Sequence, residues 1–318
     1  MLTLRHILFP TDGSPCAEHA FAHAVHLADL FRAALHVVYV WQGHGAEPRE
    51  ALPAPLDTLY ARAREVAGDT FAGTIVRAEE REGVPAIGLL AYAQRHAIDL
   101  IVMGTHGRRG VGRLMLGSVA EEVVRLADCP VLTLRPPVER APRELRRLLA
   151  PVDFSPSSWV AVAYAQHLAA ATGGRLDLLH VVETLPSYGL ADIPAVFPPP
   201  SDDVLASTRQ ALLDLAAETH GPKVPVEAHV VAGHPVLGVL DTAERLHPDL
   251  VVLPSHGRTG LRRLILGSVA EQVVRRAPSP VLVVRGEGAG LTPDEALRRA
   301  GPATLTHPAS PVPRRRVA

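Results

Sequence analysis

The chain has 318 residues, 47% of them apolar and 20% charged, and its 32 Lys and Arg against 33 Asp and Glu leave a formal net charge of −1. So neutral a balance gives no electrostatic basis for nucleic acid or an acidic membrane surface as a general partner. No apolar run approaches the roughly 20 residues that span a bilayer, and the length suits two domains of roughly 100–200 residues each.

In chain order, His6–Pro10 reads as a short buried strand that stops at Thr11-Asp12-Gly13-Ser14-Pro15. Ser14 is a natural N-cap with Pro15 in the first helical position. The helix this predicts runs to about Phe31, with Ala17, Ala20, Phe21, Ala24, Ala28 and Phe31 on one face. A strand is expected at Leu35–Val40, a polar helix at Leu56–Ala67, a strand at Thr74–Ala78 and a helix from Pro85 to His96. Asp99–Met103 reads as a fourth strand; a glycine-bearing segment, a helix from Ser118 and a strand at Pro130–Leu134 follow. The order then repeats. Strands are expected at Leu148–Pro151, Leu176–Val182, Val226–Val231, Leu250–Leu253 and Val281–Val284, and helices at Pro156–Ala171, Val204–His220, Pro235–Leu246 and after Gly267. Continuous apolar strands alternating with amphipathic helices predict βαβ units and a parallel sheet covered on both faces. The fold class is therefore α/β, as two doubly wound domains at 1–137 and 148–286. A Pro- and Arg-rich linker at 138–147 joins them, and a mobile Gly-, Pro- and Arg-rich tail at 287–318 carries at most a short helix at Pro293–Arg299.

The repeat is sharpest at its chemistry. Gly104-Thr105-His106-Gly107, nine residues, Gly117-Ser118 returns 150 positions later as Pro254-Ser255-His256-Gly257, nine residues, Gly267-Ser268. From His106 to Arg135 and from His256 to Arg285, 20 of 30 positions are identical. Cys16 and Cys129 answer to Ser157 and Ser279, which excludes a duplicated disulfide or metal framework; with no secretory signal pattern at the first residues, a reducing cytoplasm is expected.

In an open parallel sheet the ligand crevice lies beyond the carboxyl ends of the strands, where strand order reverses. Asp12 follows the first strand there, and the Gly104–Ser118 segment follows the fourth. Gly104 and Gly107 are expected to allow close backbone approach and positive φ. Gly117-Ser118-Val119 opens a helix whose unpaired N–H groups suit an anion, with the Ser118 hydroxyl as a further donor. A polyphosphate is the natural occupant, and Asp12 suits a phosphate-bound Mg2+ or Mn2+.

The pattern G-x2-G-x9-G-S, together with Phe9-Pro10-Thr11-Asp12-Gly13-Ser14 and Leu35-His36-Val37, resembles the universal stress protein family in tandem form, over about residues 4–136 and 146–286. The resemblance implies five-stranded parallel sheets of order 3-2-1-4-5 that bind ATP or a related adenine nucleotide. It implies that Pro10, Asp12 and Val37 flank ribose and adenine, while Gly104, Gly107, Gly117, Ser118 and Val119 hold ribose and phosphates. The second-half matches are Pro151, Asp153, Val181, Gly257, Gly267, Ser268 and Val269, with Asp12 and Asp153 meeting the nucleotide-bound metal. Pro254 departs from the pattern by removing an N–H and adding a ring where Gly104 stands.

His19, His23 and His26 fall opposite the apolar face of their helix and are expected on a solvated surface. Arg108, Arg109, Arg113, Arg258, Arg262 and Arg263 lie between the glycines, where they either reach terminal phosphates or are solvated. A packing role for Cys16 is preferred over a lowered thiol pKa, and His106 and His256 have no adjacent nucleophile or carboxylate. Three functions stay open: a regulatory ATP-binding protein of the stress response, a slow ATPase or nucleotidyl- or phosphoryl-transferring enzyme, and a pair of empty structural domains. Without a GxxxxGK[ST] phosphate loop or a placed general base, binding without efficient turnover leads, and no catalytic residue is assigned. The apolar last strands, Pro130–Leu134 and Pro280–Val284, are expected to pair the halves as a pseudo-dimer, and a further homodimer is an expectation of the same kind.

Overall fold

A computed structural model of the chain describes residues 2–40, 54–69, 71–80, 84–107, 116–135, 145–183, 199–219, 221–257 and 266–285. The linker through residue 144, the six loop arginines and the tail with its short helix lie outside the described residues. The first half runs β1 (His6–Pro10), α1 (Pro15–Phe31), β2 (Ala34–Val40), α2 (Leu56–Ala67), β3 (Thr74–Glu80), α3 (Pro85–Arg95), β4 (Leu100–Gly104), α4 (Ser118–Leu126) and β5 (Val131–Leu134). The second half repeats the order as β6 (Arg147–Pro151), α5 (Pro156–Thr172), β7 (Arg175–Glu183), α6 (Asp202–Glu218), β8 (Val226–Gly233), α7 (Pro235–Leu246), β9 (Leu250–Pro254), α8 (Ser268–Arg276) and β10 (Val281–Val284).

All ten strands form one sheet of order β3-β2-β1-β4-β5-β10-β9-β6-β7-β8, so each half has the order 3-2-1-4-5. Pairing is parallel except where β5 meets β10 antiparallel, with Leu132 opposite Leu282, Thr133 opposite Val281 and Val131 opposite Val283. Leu282 is the repeat of Leu132 (282 − 132 = 150), so this register is symmetric about that pair. Arg135 donates to the Ala277 carbonyl, and its repeat Arg285 to the Val124 carbonyl, so the seam is stitched from both sides. Arg275 of α8 adds an ion pair to Glu121 of α4 at 3.1 Å.

Successive strand residues point to opposite faces, and each face is closed by helices. Ile7 and Phe9 join the residues of α1, α2, α5 and α6 in one apolar core, while Leu8 joins those of α3, α4, α7 and α8 in the other. Ser14 and Ser155 cap α1 and α5 by accepting from the N–H of Ala17 and Ser158. Asp99 stands just before β4, where its Oδ2 accepts from the N–H of Arg5 and His6 at 2.7 and 2.9 Å. Asp249 repeats this at Arg146 and Arg147, both at 2.9 Å, so a carboxylate ties the start of the central strand to its neighbour in each half.

One expectation fails on α1. His23 is buried and burial, with the neighbouring His19 and His26, depresses its pKa to about 3. Leu27 of α1 lines a small apolar cavity with Tyr164 and Leu168 of α5, so the flank that a single domain would expose is covered by the other half.

Candidate functional site

The loops after β1 and β4 meet at the carboxyl edge of the first-half sheet. Thr11 N–H extends the ladder by donating to the Val38 carbonyl at 2.9 Å. The chain then turns through Gly13 at φ +73°, and Asp12 Oδ1 accepts from Ser14 N–H at 3.0 Å. On the facing loop, Thr105 N–H donates to the Leu134 carbonyl and Gly117 N–H returns to the Thr105 carbonyl, both at 2.8 Å. The two loops touch closely: a Cβ on Gly107 would stand 2.8 Å from Asp12 Oδ2, and one on Gly117 would stand 3.0 Å from the Thr105 carbonyl oxygen. Gly117 caps α4 with extended backbone and gives the helix no side-chain hydrogen bond, while Ser118 beside it is exposed. The structure thus brings Asp12, Gly107, Gly117 and Ser118 to one edge, with Pro10 half-buried at the end of β1 and Val119 packed on the core closed by α3, α4, α7 and α8.

Three sequence expectations need correction. Gly104, Gly107 and Gly117 are not among the residues with positive φ, so close approach alone requires glycine there. At Gly104 the neighbour is Cys16, whose Sγ would lie 2.7 Å from an added Cβ. Val37 is 1% exposed, sealed in the core beneath α1, and does not reach the crevice. Nor is Val181 its counterpart: Phe9 pairs with Val37, and the repeat residue Ala150 (9 + 141) pairs with Leu178. Val181 lies three residues farther along β7, where its Cγ2 and Cγ1 methyls would stand 2.7 and 3.1 Å from a Cβ on Gly238 of α7. Burial pushes the Cys16 thiol pKa up, partly offset by backbone hydrogen bonds from His106 and Thr105, which fits a packing role.

The second half builds the same edge from Pro151, Asp153, Gly257, Gly267, Ser268 and Val269. Val152 N–H donates to the Leu179 carbonyl, Gly267 N–H to the Ser255 carbonyl, and a Cβ on Gly257 would stand 2.5 Å from Asp153 Oδ2. Its interior differs. Asp153 Oδ1 accepts from Ser155 N–H at 3.0 Å and from the hydroxyls of Ser155 and Ser158 at 2.6 and 2.5 Å. Phe154 replaces Gly13, takes φ +60° and packs on His180, whose Nδ1 lies 2.7 Å from the Val152 carbonyl. Sequence reading passed over Phe154 and His180, although aligning Asp12-Gly13-Ser14 with Asp153-Phe154-Ser155 exposes the first of them. Pro254 ends β9 opposite Val284 without breaking the ladder, because Ser255 N–H makes the next bond, to the Val284 carbonyl at 2.9 Å. Ser157 stands where the first half has Cys16, so the pair Cys16–Gly104 is replaced by Ser157–Pro254.

The model of the universal stress protein family matches the chain twice, over residues 3–135 and 144–285. The chain belongs to that family. It is 36% identical over 141 residues to a universal stress protein of Methanocaldococcus jannaschii, covering 41% of this chain and 82% of the relative. A universal stress protein of Mycolicibacterium smegmatis is 32% identical over 221 residues, covering 69% and 71%. One of Mycobacterium bovis is 28% identical over 309 residues, covering 88% and 94%, so it too is matched across both halves. Among solved structures, a universal stress protein from Archaeoglobus fulgidus superposes with a TM-score of 0.60 at 22% identity, over 88% of this chain and 98% of that one. That likeness establishes the fold. No helix among the described residues is long and apolar enough to cross a membrane.

Proposed function

We propose that this tandem universal stress protein binds ATP or a related adenine nucleotide as a regulatory ligand, chiefly in its first half. The observation that carries this reading is the edge where Asp12 meets Gly107 beside the α4 N-terminus, which has no side-chain cap. Helix-terminal N–H groups attract phosphate, the exposed Ser118 adds a hydroxyl, and glycine at 117 keeps the approach narrow. A carboxylate is the hard oxygen donor that a phosphate-bound Mg2+ or Mn2+ takes, and Asp12 is half-buried at that edge. In the second half Asp153 is engaged by Ser155 and Ser158, Phe154 replaces glycine, and Pro254 brings a ring. Those three changes favour the first site. Binding is preferred to turnover because no lysine or placed general base accompanies the described loops.

The symmetric β5–β10 register supports reading the chain as an intramolecular pseudo-dimer that places both edges on one molecule. Two buried free thiols suit a reducing compartment such as the cytoplasm. The test is to incubate the purified protein with ATP and Mg2+, then quantify nucleotide bound and product released. Near-stoichiometric binding with little ADP or AMP is expected; rapid product release would favour the enzyme, and no retention would defeat both.

A further inference from the structure

At the end of the first-half sheet away from the crevice, four side chains outside the proposed nucleotide site gather. His6 opens β1, His36 lies on β2, and Tyr92 and His96 stand at the close of α3. His6 Nδ1 and His36 Nε2 are 3.1 Å apart, and His36 Nδ1 is 2.8 Å from the Tyr92 hydroxyl. The His96 ring stacks on Tyr92 with centroids 4.1 Å apart and lies 5.7 Å from the His36 ring. His36 and Tyr92 are buried, His6 is half-buried and His96 is exposed, so the cluster has a fixed floor and an open rim.

This arrangement has the chemistry of a metal site. A ligating histidine holds its far nitrogen on an oxygen partner, which fixes the ring and aims the other nitrogen; Tyr92 does that for His36. Two nitrogens on one Zn2+ at about 2.0–2.1 Å, with angles between tetrahedral and right, stand roughly 2.9–3.4 Å apart. The observed 3.1 Å lies inside that interval. His96, at the helix end and exposed, would complete the set only by turning off Tyr92, since its ring now lies 5.7 Å from that of His36. Carboxylates surround the cluster: Asp99 holds the His6 N–H, and Glu80 lies near Tyr92 while paired with Arg95 at 2.5 Å.

The duplicated half supplies the contrast. Arg147 and Asp177 stand at the repeats of His6 and His36 (6 + 141 and 36 + 141). There Arg147 Nε and Nη2 donate to the two Asp177 oxygens at 2.8 and 3.1 Å, and His229 Nε2 reaches Oδ1 at 2.8 Å. That half carries its own cation at this node. Asp177, Glu227 and His229 also bring three ligand atoms within 4.8 Å of one another, but the guanidinium already neutralises the buried carboxylate. The first half offers three imidazoles at the same place.

We infer that His6, His36 and His96 bind one divalent transition metal of the imidazole-preferring kind, Zn2+, Ni2+ or Cu2+, with water in the remaining positions. The test titrates the full-length, untagged protein with Zn2+ against a chromophoric chelator and follows Co2+ binding by visible absorption. One equivalent is expected to bind, with Tyr92→Phe, His6→Gln and His96→Gln each weakening it at least about tenfold. His36→Gln, at a buried position, is read only if its circular dichroism is native; the exposed His96 and half-buried His6 carry the result otherwise. His19→Gln, His26→Gln and His229→Gln are expected to leave affinity unchanged. Absence of a Zn2+ equivalent, insensitivity to either His6→Gln or His96→Gln, or loss on His229→Gln overturns the assignment.

Discussion

Adding one methyl group at Gly107 or at Gly257 distinguishes the two edges, because the same glycine faces differently held carboxylates. The new Cβ would meet Asp12 Oδ2 at 2.8 Å in the first half and Asp153 Oδ2 at 2.5 Å in the second, where ordinary contact begins at 3.4 Å. The carboxylates must therefore retreat by about 0.6 and 0.9 Å (3.4 − 2.8 and 3.4 − 2.5). Neither glycine has positive φ, so Ala introduces no backbone strain. A retreat of 0.9 Å stretches the Ser155 and Ser158 hydroxyl bonds, now 2.6 and 2.5 Å, to the limit of hydrogen bonding. Each bond to a charged group contributes about 1.5–3 kcal/mol, and half-buried surroundings favour the low end. Gly257→Ala is expected to destabilise its half by about 3 kcal/mol and Gly107→Ala by about 1 kcal/mol, the latter chiefly weakening nucleotide binding. Urea unfolding of each single variant, monitored with hydrogen exchange to separate the halves, measures the difference. Equal stability losses would refute the view that the Ser155 and Ser158 hydroxyls pin Asp153.

Other perturbations reach the core, the seam and the second half. Folded His23 protonates near pH 3 against a usual value of 6.5, so its neutral form supports folding above pH 6.5 and the contribution is lost as pH falls toward 3. Linkage makes the loss about 2 kcal/mol by pH 5; His23→Leu is expected to remove that part of the fall in melting temperature in this window, leaving a dependence of similar size from His36. Leu132→Asp puts a carboxylate where the β5–β10 seam is 2% exposed; a loss above about 3 kcal/mol and an expanded scattering profile are expected. Burial raises the Asp177 pKa, but hydrogen bonds from Arg147 and His229 outweigh it and hold the group below its usual value. Asp177→Asn leaves Arg147 without its anion, and denaturant titration is expected to show a loss of about 3 kcal/mol.

Most of the architecture was legible because parallel strands buried on both faces leave unbroken apolar runs. Ser14-Pro15 and Ser155-Pro156 likewise announce the starts of α1 and α5. What escaped depends on distant partners. Leu27 of α1 faces Tyr164 and Leu168 of α5, and a helical wheel drawn for one domain has no second flank. Val181 was matched to Val37 because the tripeptide Leu-His-Val occurs at 35–37 and 179–181, whereas the register is set by backbone pairing and equates Val37 with Leu178. The glycines were found by spacing, but their cause differs: Cys16 and Asp12 crowd Gly104 and Gly107, and side-chain crowding between separate loops leaves no local signature.

The measurement closest to the central claim is calorimetry of ATP with Mg2+ on the unmodified chain, on Asp12→Ala and on Asp153→Ala. The expected result is one dominant site whose affinity and Mg2+ dependence fall with Asp12→Ala and scarcely change with Asp153→Ala. ATP binding that is unaffected by Asp12→Ala, or divided equally between two sites, would contradict the assignment of the first-half edge as the nucleotide site.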